Sequence, residues 1–186
     1  VYFQSNPFAN LPKAGPKQPK WLYMYTEYHT IGQSAFNRRW ISSCYGAQAL
    51  TDAMAASLVV CSGSTAGSAL GLGGYFEVMM DQYDRTKCTL HGSDQGFHEY
   101  ALYTGIFERL GLSTRLVSAG AGEVNSLAAL RGNLTRFGGS YDPRYYSSVR
   151  QSEKQLDVLN TDGTPSPIVH QFDRFKPLAQ WARHWA

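Results

Sequence analysis

Runs of apolar and polar residues divide the chain into short strands and amphipathic helices. Trp21–Tyr28 is rich in aromatic residues and predicts a strand, and Ser57–Cys61 is an apolar run typical of a buried strand. A glycine- and serine-rich loop is expected over residues 62–68. The spacing of apolar positions predicts helices over 34–44, 47–54, 75–85 and 93–110, and further strands over 113–118, 158–160 and 167–170. Strands that alternate with helices indicate an α/β fold.

The helix predicted over 75–85 carries a stripe of methionine and aromatic side chains that we expect to pack on the sheet. The stripe consists of Tyr75, Phe76, Val78, Met79, Met80 and Tyr83. Residues 125–155 have no sustained periodicity, and a C-terminal amphipathic segment is expected over 178–185. With 186 residues the chain is long enough for one domain, residues 1–186, with a core of its own.

Composition and charge narrow the classes of partner. The formal net charge is only +3 and the basic residues are scattered, which argues against a nucleic-acid partner. No apolar run approaches the roughly 20 residues needed to cross a bilayer, so we expect no membrane contact from this segment. Three cysteines allow one disulfide, and none has the CxxC spacing of a zinc site. Twelve tyrosines, nine phenylalanines and four tryptophans suit a packed core or stacking on sugars.

Asp94 and Gln95 stand in the densest cluster of chemically capable side chains, residues 91–100. They fall in the first turn of a predicted helix, with Ser93 expected as its N-cap. A carboxylate and an amide at such a corner can face a ligand. The plain structural alternative is that Ser93 caps the helix while Asp94 interacts favourably with the helix dipole.

A second group of polar residues follows the predicted strand that ends at His170. A neutral histidine can ligate a metal ion, and the cations Arg174 and Lys176 can hold a diphosphate. The structural alternatives are a buried core histidine and two solvated charges. Ligands of open α/β sheets bind outside the carboxyl ends of strands, so we expect the segments after Cys61 and after His170 to share one rim.

An acyl hydrolase is a further possibility, because Ser64, Asp94 and His170 occur in the chain order of a hydrolase triad. Two local motifs are missing, however. Residues 63–67 place Thr65 where a nucleophile elbow has serine, and the same loop lacks the Gly-Lys-Ser/Thr of a P-loop. The hydrolase hypothesis therefore depends on geometry alone.

Several segments together resemble a family of glycosyltransferases of the GT-A (nucleotide-diphospho-sugar transferase) type. They are Val59–Ser68, Gly92–His98, Val158–Gly163 and Pro167–Arg174. The similarity covers most of the chain and is weakest over 125–155. It implies a partial GT-A-like mixed sheet flanked by helices, and the chain looks like the C-terminal, acceptor- and sugar-side part of such an enzyme. By itself, Val1–Phe8 resembles the remainder of an expression tag. Beside the family, the same residues resemble native sequence.

The resemblance implies a role for each candidate residue. Asp94 and Gln95 would be catalytic near the reacting carbon, with Asp94 as the general base that an inverting mechanism needs. His170 would ligate a manganese or magnesium ion. The substrate-binding residues would be Cys61, Ser62, Gly63, Ser64, Arg174 and Lys176.

The implied reaction is transfer of a sugar from a nucleotide-sugar donor to a glycan or protein acceptor. The sequence lacks the usual Asp-x-Asp metal motif, so we expect this segment to be incomplete and inactive alone. Related enzymes work in the Golgi or ER lumen behind a membrane anchor, and a sequon at Asn133 and a bridge between Cys61 and Cys88 would agree with that location. The alternative is a non-catalytic carbohydrate-binding or structural module derived from such an enzyme.

Overall fold

The computed structural model describes residues 1–12, 20–127, 148–151 and 156–174. Within them the protein is α/β, with helices and three-stranded sheets, one of which is mixed. The chain divides into a central unit, Ala14–Leu116, and a terminal unit, Val1–Lys13 with Val117–Ala186. The single domain expected from chain length stays a prediction.

The strands and helices are numbered in chain order. The strands are β1 (Tyr2–Phe3), β2 (Trp21–Thr30), β3 (Leu58–Gly67), β4 (Ser113–Val117), β5 (Val124–Ser126), β6 (Ser148–Gln151), β7 (Leu156–Leu159) and β8 (Ile168–His170). The helices are α1 (Ala35–Tyr45), α2 (Asp52–Ala56), α3 (Ala69–Thr86), α4 (Ser93–Tyr103) and α5 (Ile106–Arg109). The segment predicted as a C-terminal amphipathic element lies outside the described residues.

The central unit is built on a sheet with strand order β3-β2-β4, so β3 lies at its edge. β3 runs antiparallel to β2 and continues beyond Cys61 as far as Gly67, which is paired with Leu22. The loop predicted over residues 62–68 is therefore wrong. Backbone pairing with the long strand β2 overrides the turn preference of these small residues, because strand formation depends strongly on the neighbouring strand.

Helix α4 is the central helix of this unit and packs against α1, α3 and β3. Most of its residues are buried, including Phe97, Ala101 and Leu102. The prediction of one helix to residue 110 is wrong, because α4 ends at Tyr103 and Gly105 adopts a left-handed conformation before the short α5. The helix predicted over 47–54 is likewise divided into a 3₁₀ turn and α2.

Helix α3 buries a narrower stripe than the sequence predicts. Tyr75 and Val78 are buried, whereas Phe76, Met80 and Tyr83 are 58%, 67% and 46% exposed. The buried positions of the helix are Gly71, Tyr75, Val78 and Gln82, which follow the helical period. The prediction that the whole methionine and aromatic stripe packs on the sheet is wrong, because a helix on one side of a sheet buries only one face.

A disulfide joins Cys44 at the end of α1 to Cys88 before α4, with their Cα atoms 5.3 Å apart. Cys61 is a buried free thiol within β3. The expected bridge between Cys61 and Cys88 is therefore wrong. In the part of the chain that the structure describes, no helix has both the length and the apolar character to cross a membrane.

The terminal unit contains a mixed sheet of order β1-β8-β5, in which β8 is antiparallel to β1 and parallel to β5. β6 and β7 form a separate antiparallel pair. The Gln4 side chain joins these parts, because its Nε2 donates to Val158 O (2.9 Å) and Ser166 O (2.6 Å) and its Oε1 accepts from Val158 N (2.8 Å). The segment around Gln4 is thus part of this fold.

Candidate functional site

Two segments that are distant in sequence meet at the free edge of the central sheet. The Gln95 side chain at the start of α4 accepts a hydrogen bond from Ser62 N (2.8 Å) and donates one to Val60 O (2.6 Å). Beside it, Ser62 Oγ donates to Asp94 Oδ2 over 3.0 Å. The structure therefore brings three of the predicted site residues, Ser62, Asp94 and Gln95, into direct contact.

The unpaired backbone groups of an edge strand explain why a glutamine side chain suits position 95. An edge strand presents alternate N–H and C=O groups with no neighbouring strand to pair with. A primary amide carries one acceptor and two N–H donors, so the Gln95 side chain satisfies Val60 and Ser62 as a neighbouring strand would. Both polar atoms of Gln95 are consequently engaged by the protein, and its role is to hold α4 against β3.

Asp94 differs from its neighbour because its carboxylate is exposed to solvent. Only Oδ2 is engaged by Ser62, and the residue lies in the first turn of α4, where the helix dipole favours a negative charge. An exposed carboxylate with one oxygen held in place can accept a proton through the other. Asp94 is thus the residue of this corner that can act on a ligand.

The N-terminus of α4 is formed differently from the sequence expectation. Gly92 is the N-cap, with φ at +83°, and Ser93 is the first helical residue and donates to Cys88 O at 3.3 Å. The prediction of Ser93 as the N-cap is therefore wrong. Position 92 requires glycine, because a Cβ there would lie 2.5 Å from the ring of Trp40. The indole N–H of Trp40 donates to His91 O.

Behind Gln95 lies a buried carboxyl group that sequence reasoning missed. Glu99, four residues along α4, is fully buried and accepts a hydrogen bond from Gln95 Nε2 at 3.0 Å. The Asn37 amide is satisfied when its nitrogen faces Glu99, at 3.3 and 3.2 Å from the two carboxyl oxygens. Burial, together with nearby Glu27, raises the pKa of Glu99 to about 8, although the Gln95 hydrogen bond opposes that shift. Glu99 is therefore mainly neutral at pH 7.

β3 passes from the buried core to a more exposed position just after Cys61. Cys61 is 3% exposed, and burial raises the pKa of its thiol to about 11, with Glu27 adding to the effect. Gly63 is exposed, while Ser62 and Ser64 are half-buried. Of the four residues predicted to bind substrate here, Ser62 is the one that contacts Asp94.

His98 is a core residue of α4. It is fully buried, its Nδ1 lies 3.0 Å from the Tyr75 hydroxyl, and burial lowers its pKa to about 4. The ring is therefore neutral at pH 7 and packs among aromatic side chains, including Phe107.

The remaining candidates belong to the terminal unit. His170 is the last residue of β8 and is paired with Ser126 at the end of the parallel strand β5, so the two carboxyl ends lie at one edge. Arg174 ends a 3₁₀ turn, but its side chain and the whole of Lys176 lie outside the described residues. The rim that was expected to unite His170 with Cys61 stays a prediction, because the two belong to different units.

The metal ion predicted at His170 needs several protein ligands close together. Among residues 1–12, 20–127, 148–151 and 156–174, no group of three or more histidine, cysteine, aspartate or glutamate side chains is placed to hold a metal ion. His170 alone does not make a metal site. We therefore assign no step of a reaction to a cation held by the described residues.

The corner around Asp94 is held together by hydrogen bonds between the start of α4 and β3. Ser62 bonds to the exposed carboxylate of Asp94 and to the Gln95 side chain, which in turn donates to the buried Glu99. Comparison of the chain with family models, curated proteins and solved structures finds no match.

Proposed function

We propose that this chain is the acceptor- and sugar-side part of a GT-A glycosyltransferase, which transfers a sugar from a nucleotide-sugar to a glycan or protein acceptor. One observation carries the proposal. Two of the segments that resemble such enzymes, residues 59–68 and 92–98, are joined by the hydrogen bonds of Ser62 to Asp94 and Gln95. Segments that share a chemistry are expected to lie in contact, and the contact between these two supports the proposal.

In this proposal Asp94 is the general base. The acceptor hydroxyl gives its proton to the free carboxylate oxygen of Asp94 as its own oxygen forms a bond to the anomeric carbon. The bond from that carbon to the nucleotide breaks, and the nucleoside diphosphate leaves with the electron pair. Ser62 orients the carboxylate through Oδ2, which leaves Oδ1 for the acceptor.

Gln95 is a positioning residue in this scheme, because its amide is bonded to β3 and to Glu99. It fixes the distance between the first turn of α4 and the strand that carries Ser62. A misplacement of about 1 Å in a catalytic group is sufficient to cost two orders of magnitude in rate. The precision of the Gln95 contacts is therefore as relevant to turnover as the chemistry of Asp94.

The test is sugar transfer by the full-length protein, measured with manganese and a panel of UDP- and GDP-sugars. Asp94→Asn should lower turnover by about 100-fold or more, since loss of a general base removes a contribution of that size. Asp52→Asn is the matched control, because Asp52 is also an exposed aspartate in the first turn of a helix. Turnover by Asp94→Asn equal to that of the Asp52 control would remove Asp94 from the mechanism.

A further inference from the structure

A cavity of about 300 Å³ lies in the central unit, beside helices α2 and α4. Tyr100, Tyr103 and Thr104 line it at the C-terminal end of α4, and Gln48, Thr51 and Ser57 line it from the segments around α2. Tyr103 follows Asp94 by nine residues, which places it about 14 Å along the helix and half a turn around it. The cavity is thus separate from the corner that holds Asp94.

The lining of this cavity is polar but uncharged. Alanine and methionine side chains complete it, and the described residues that line it include none with a formal charge. A charged group that enters such a cavity loses part of its hydration without gaining a partner of opposite charge, which is unfavourable. The cavity is therefore suited to a neutral ligand and unsuited to a nucleotide or a sugar phosphate.

The aromatic part of the lining is fixed before any ligand enters. Tyr100 stacks on Tyr45 with ring centroids 3.7 Å apart, and the Tyr103 hydroxyl donates to Leu58 O at 2.5 Å. Rings that are already held in place lose little conformational freedom on binding. Thr51 and Thr104 are also fixed, because their hydroxyls bond to the backbone at Met54 N and Tyr100 O.

We propose that this cavity binds one unit of a neutral saccharide. Tyrosine rings have the apolar surface against which the C–H face of a sugar packs, together with a polar edge. The oxygens of Thr51, Ser57 and Thr104 and the Gln48 amide are hydrogen-bonding partners for sugar hydroxyls. The volume is at the lower end of the range of roughly 300–1,000 Å³ found for ligand pockets, which matches a small ligand.

This saccharide site is independent of sugar transfer, since it requires neither nucleotide nor metal ion. The experiment uses the whole chain and follows backbone amide signals by NMR during titration with neutral trisaccharides of glucose, galactose, mannose and N-acetylglucosamine. At least one should shift signals of α2 and of residues 100–104, with a dissociation constant of roughly millimolar order, as for a small interface. Glucose 6-phosphate and UMP, which are both charged, should leave these signals unchanged.

Two variants of α2 provide a matched pair. Ala53 and Ala56 are both exposed, but only Ala53 lines the cavity, so Ala53→Phe fills it and Ala56→Phe does not. We expect Ala53→Phe to weaken saccharide binding at least about tenfold, a difference of about 1.4 kcal/mol. Ala56→Phe should bind within about twofold of the unaltered chain, because nothing in the cavity changes.

Gln48→Ala is a second variant that does not fill the cavity, and it should weaken binding about fivefold through loss of a hydrogen bond. The site would be disproved if no trisaccharide shifted the α2 signals, or if Ala53→Phe and Ala56→Phe bound equally well. Binding of glucose 6-phosphate or UMP in preference to the neutral trisaccharides would likewise overturn it.

Discussion

Two glutamine side chains, Gln4 in the terminal unit and Gln95 in the central unit, satisfy backbone groups of a strand in the place of a neighbouring strand. Gln4 bonds to both the N–H and the C=O of Val158, and Gln95 bonds to Val60 O and Ser62 N. The third hydrogen bond differs. Gln4 donates to a backbone carbonyl, that of Ser166, whereas Gln95 donates to the buried carboxyl of Glu99.

The same hydrogen-bonding arrangement is therefore independent of titratable groups at Gln4 and coupled to a titratable group at Gln95. A backbone carbonyl does not ionise, so the Gln4 contacts are expected to be independent of pH. Glu99 has its pKa raised to about 8 by burial, so the contacts around Gln95 depend on pH. These pH-dependent contacts of Gln95 are the ones that hold the exposed carboxylate of Asp94 next to Ser62.

The largest effect is expected from Gln95→Leu. It removes the Gln95 partner of Val60 O and Ser62 N and one of the hydrogen-bond donors to the Glu99 carboxyl. The sum of these losses should lower the free energy of unfolding of the central unit by about 4 kcal/mol. Urea unfolding measures the loss, and hydrogen exchange at the Ser62 amide locates it. Unchanged exchange at Ser62 would show that Gln95 does not protect the edge of β3.

The next effect concerns pH. The pKa of Glu99 is raised from its ordinary value of 4.5 to about 8, so between these values the unfolded chain has released a proton that the folded chain retains. Stability should therefore fall as pH rises through this window, by up to about 1.4 kcal/mol per pH unit. Glu99→Gln should remove the slope and stabilise the protein by up to about 3 kcal/mol at pH 7.

The Glu99 prediction is measured by urea unfolding of both proteins between pH 4 and pH 9. At pH 4 the glutamic acid is protonated in both states, so the two proteins should have similar stability there, which serves as the internal control. Parallel stability curves across the whole range would mean that Glu99 is ionised in the folded protein and that the raised pKa is wrong.

A smaller loss is expected from Gln4→Leu, although the same number of hydrogen bonds is removed. β1 has only two residues and Gln4 is partly exposed, so water replaces some of the lost bonds. We expect a loss of about 2 kcal/mol that does not vary with pH. Hydrogen exchange should accelerate at the Val158 amide and not at Ser62, and the reverse pattern should hold for Gln95→Leu.

The smallest effect on stability should come from Ser62→Ala. The hydroxyl bond to Asp94 is exposed, so its loss should cost less than about 1 kcal/mol. Turnover of the full-length protein should nevertheless fall, because Asp94 loses the contact that orients it, while Ser62→Thr keeps a hydroxyl and should retain turnover. Equal turnover by the Ala and Thr variants would show that this contact does not orient the base.

Elements set by local pattern could be predicted from the sequence. The aromatic run of β2, the helix α1 and the strand β8 lie close to their predicted bounds, because their residues carry a strong local preference. The continuation of β3 to Gly67 could not be predicted from the sequence, since it depends on pairing with β2. The exposed side of α3 was missed for a similar reason: composition shows that Phe76 and Met80 are apolar, not which face meets the sheet.

The candidate site was predicted in its exposed part and missed in its buried part. Asp94, Gln95 and Ser62 stand in polar segments at the ends of predicted elements, and the structure brings them together. Glu99 and Asn37 could not be identified as buried, because the sequence alone does not distinguish a buried polar residue from an exposed one. The available signal was the spacing of Gln95 and Glu99, which places them on one face of a helix beside apolar residues.

In the proposed function, the segments around Ser62 and Asp94 form one donor and acceptor site. The most direct test is an amide NMR titration of the full-length protein with nucleotide-sugars in the presence of manganese. We expect one donor to shift the Ser62 and Gln95 signals together, with the same dissociation constant, and Asp52→Asn to leave this unchanged. A nucleotide-sugar that binds the protein and shifts neither signal would contradict the claim.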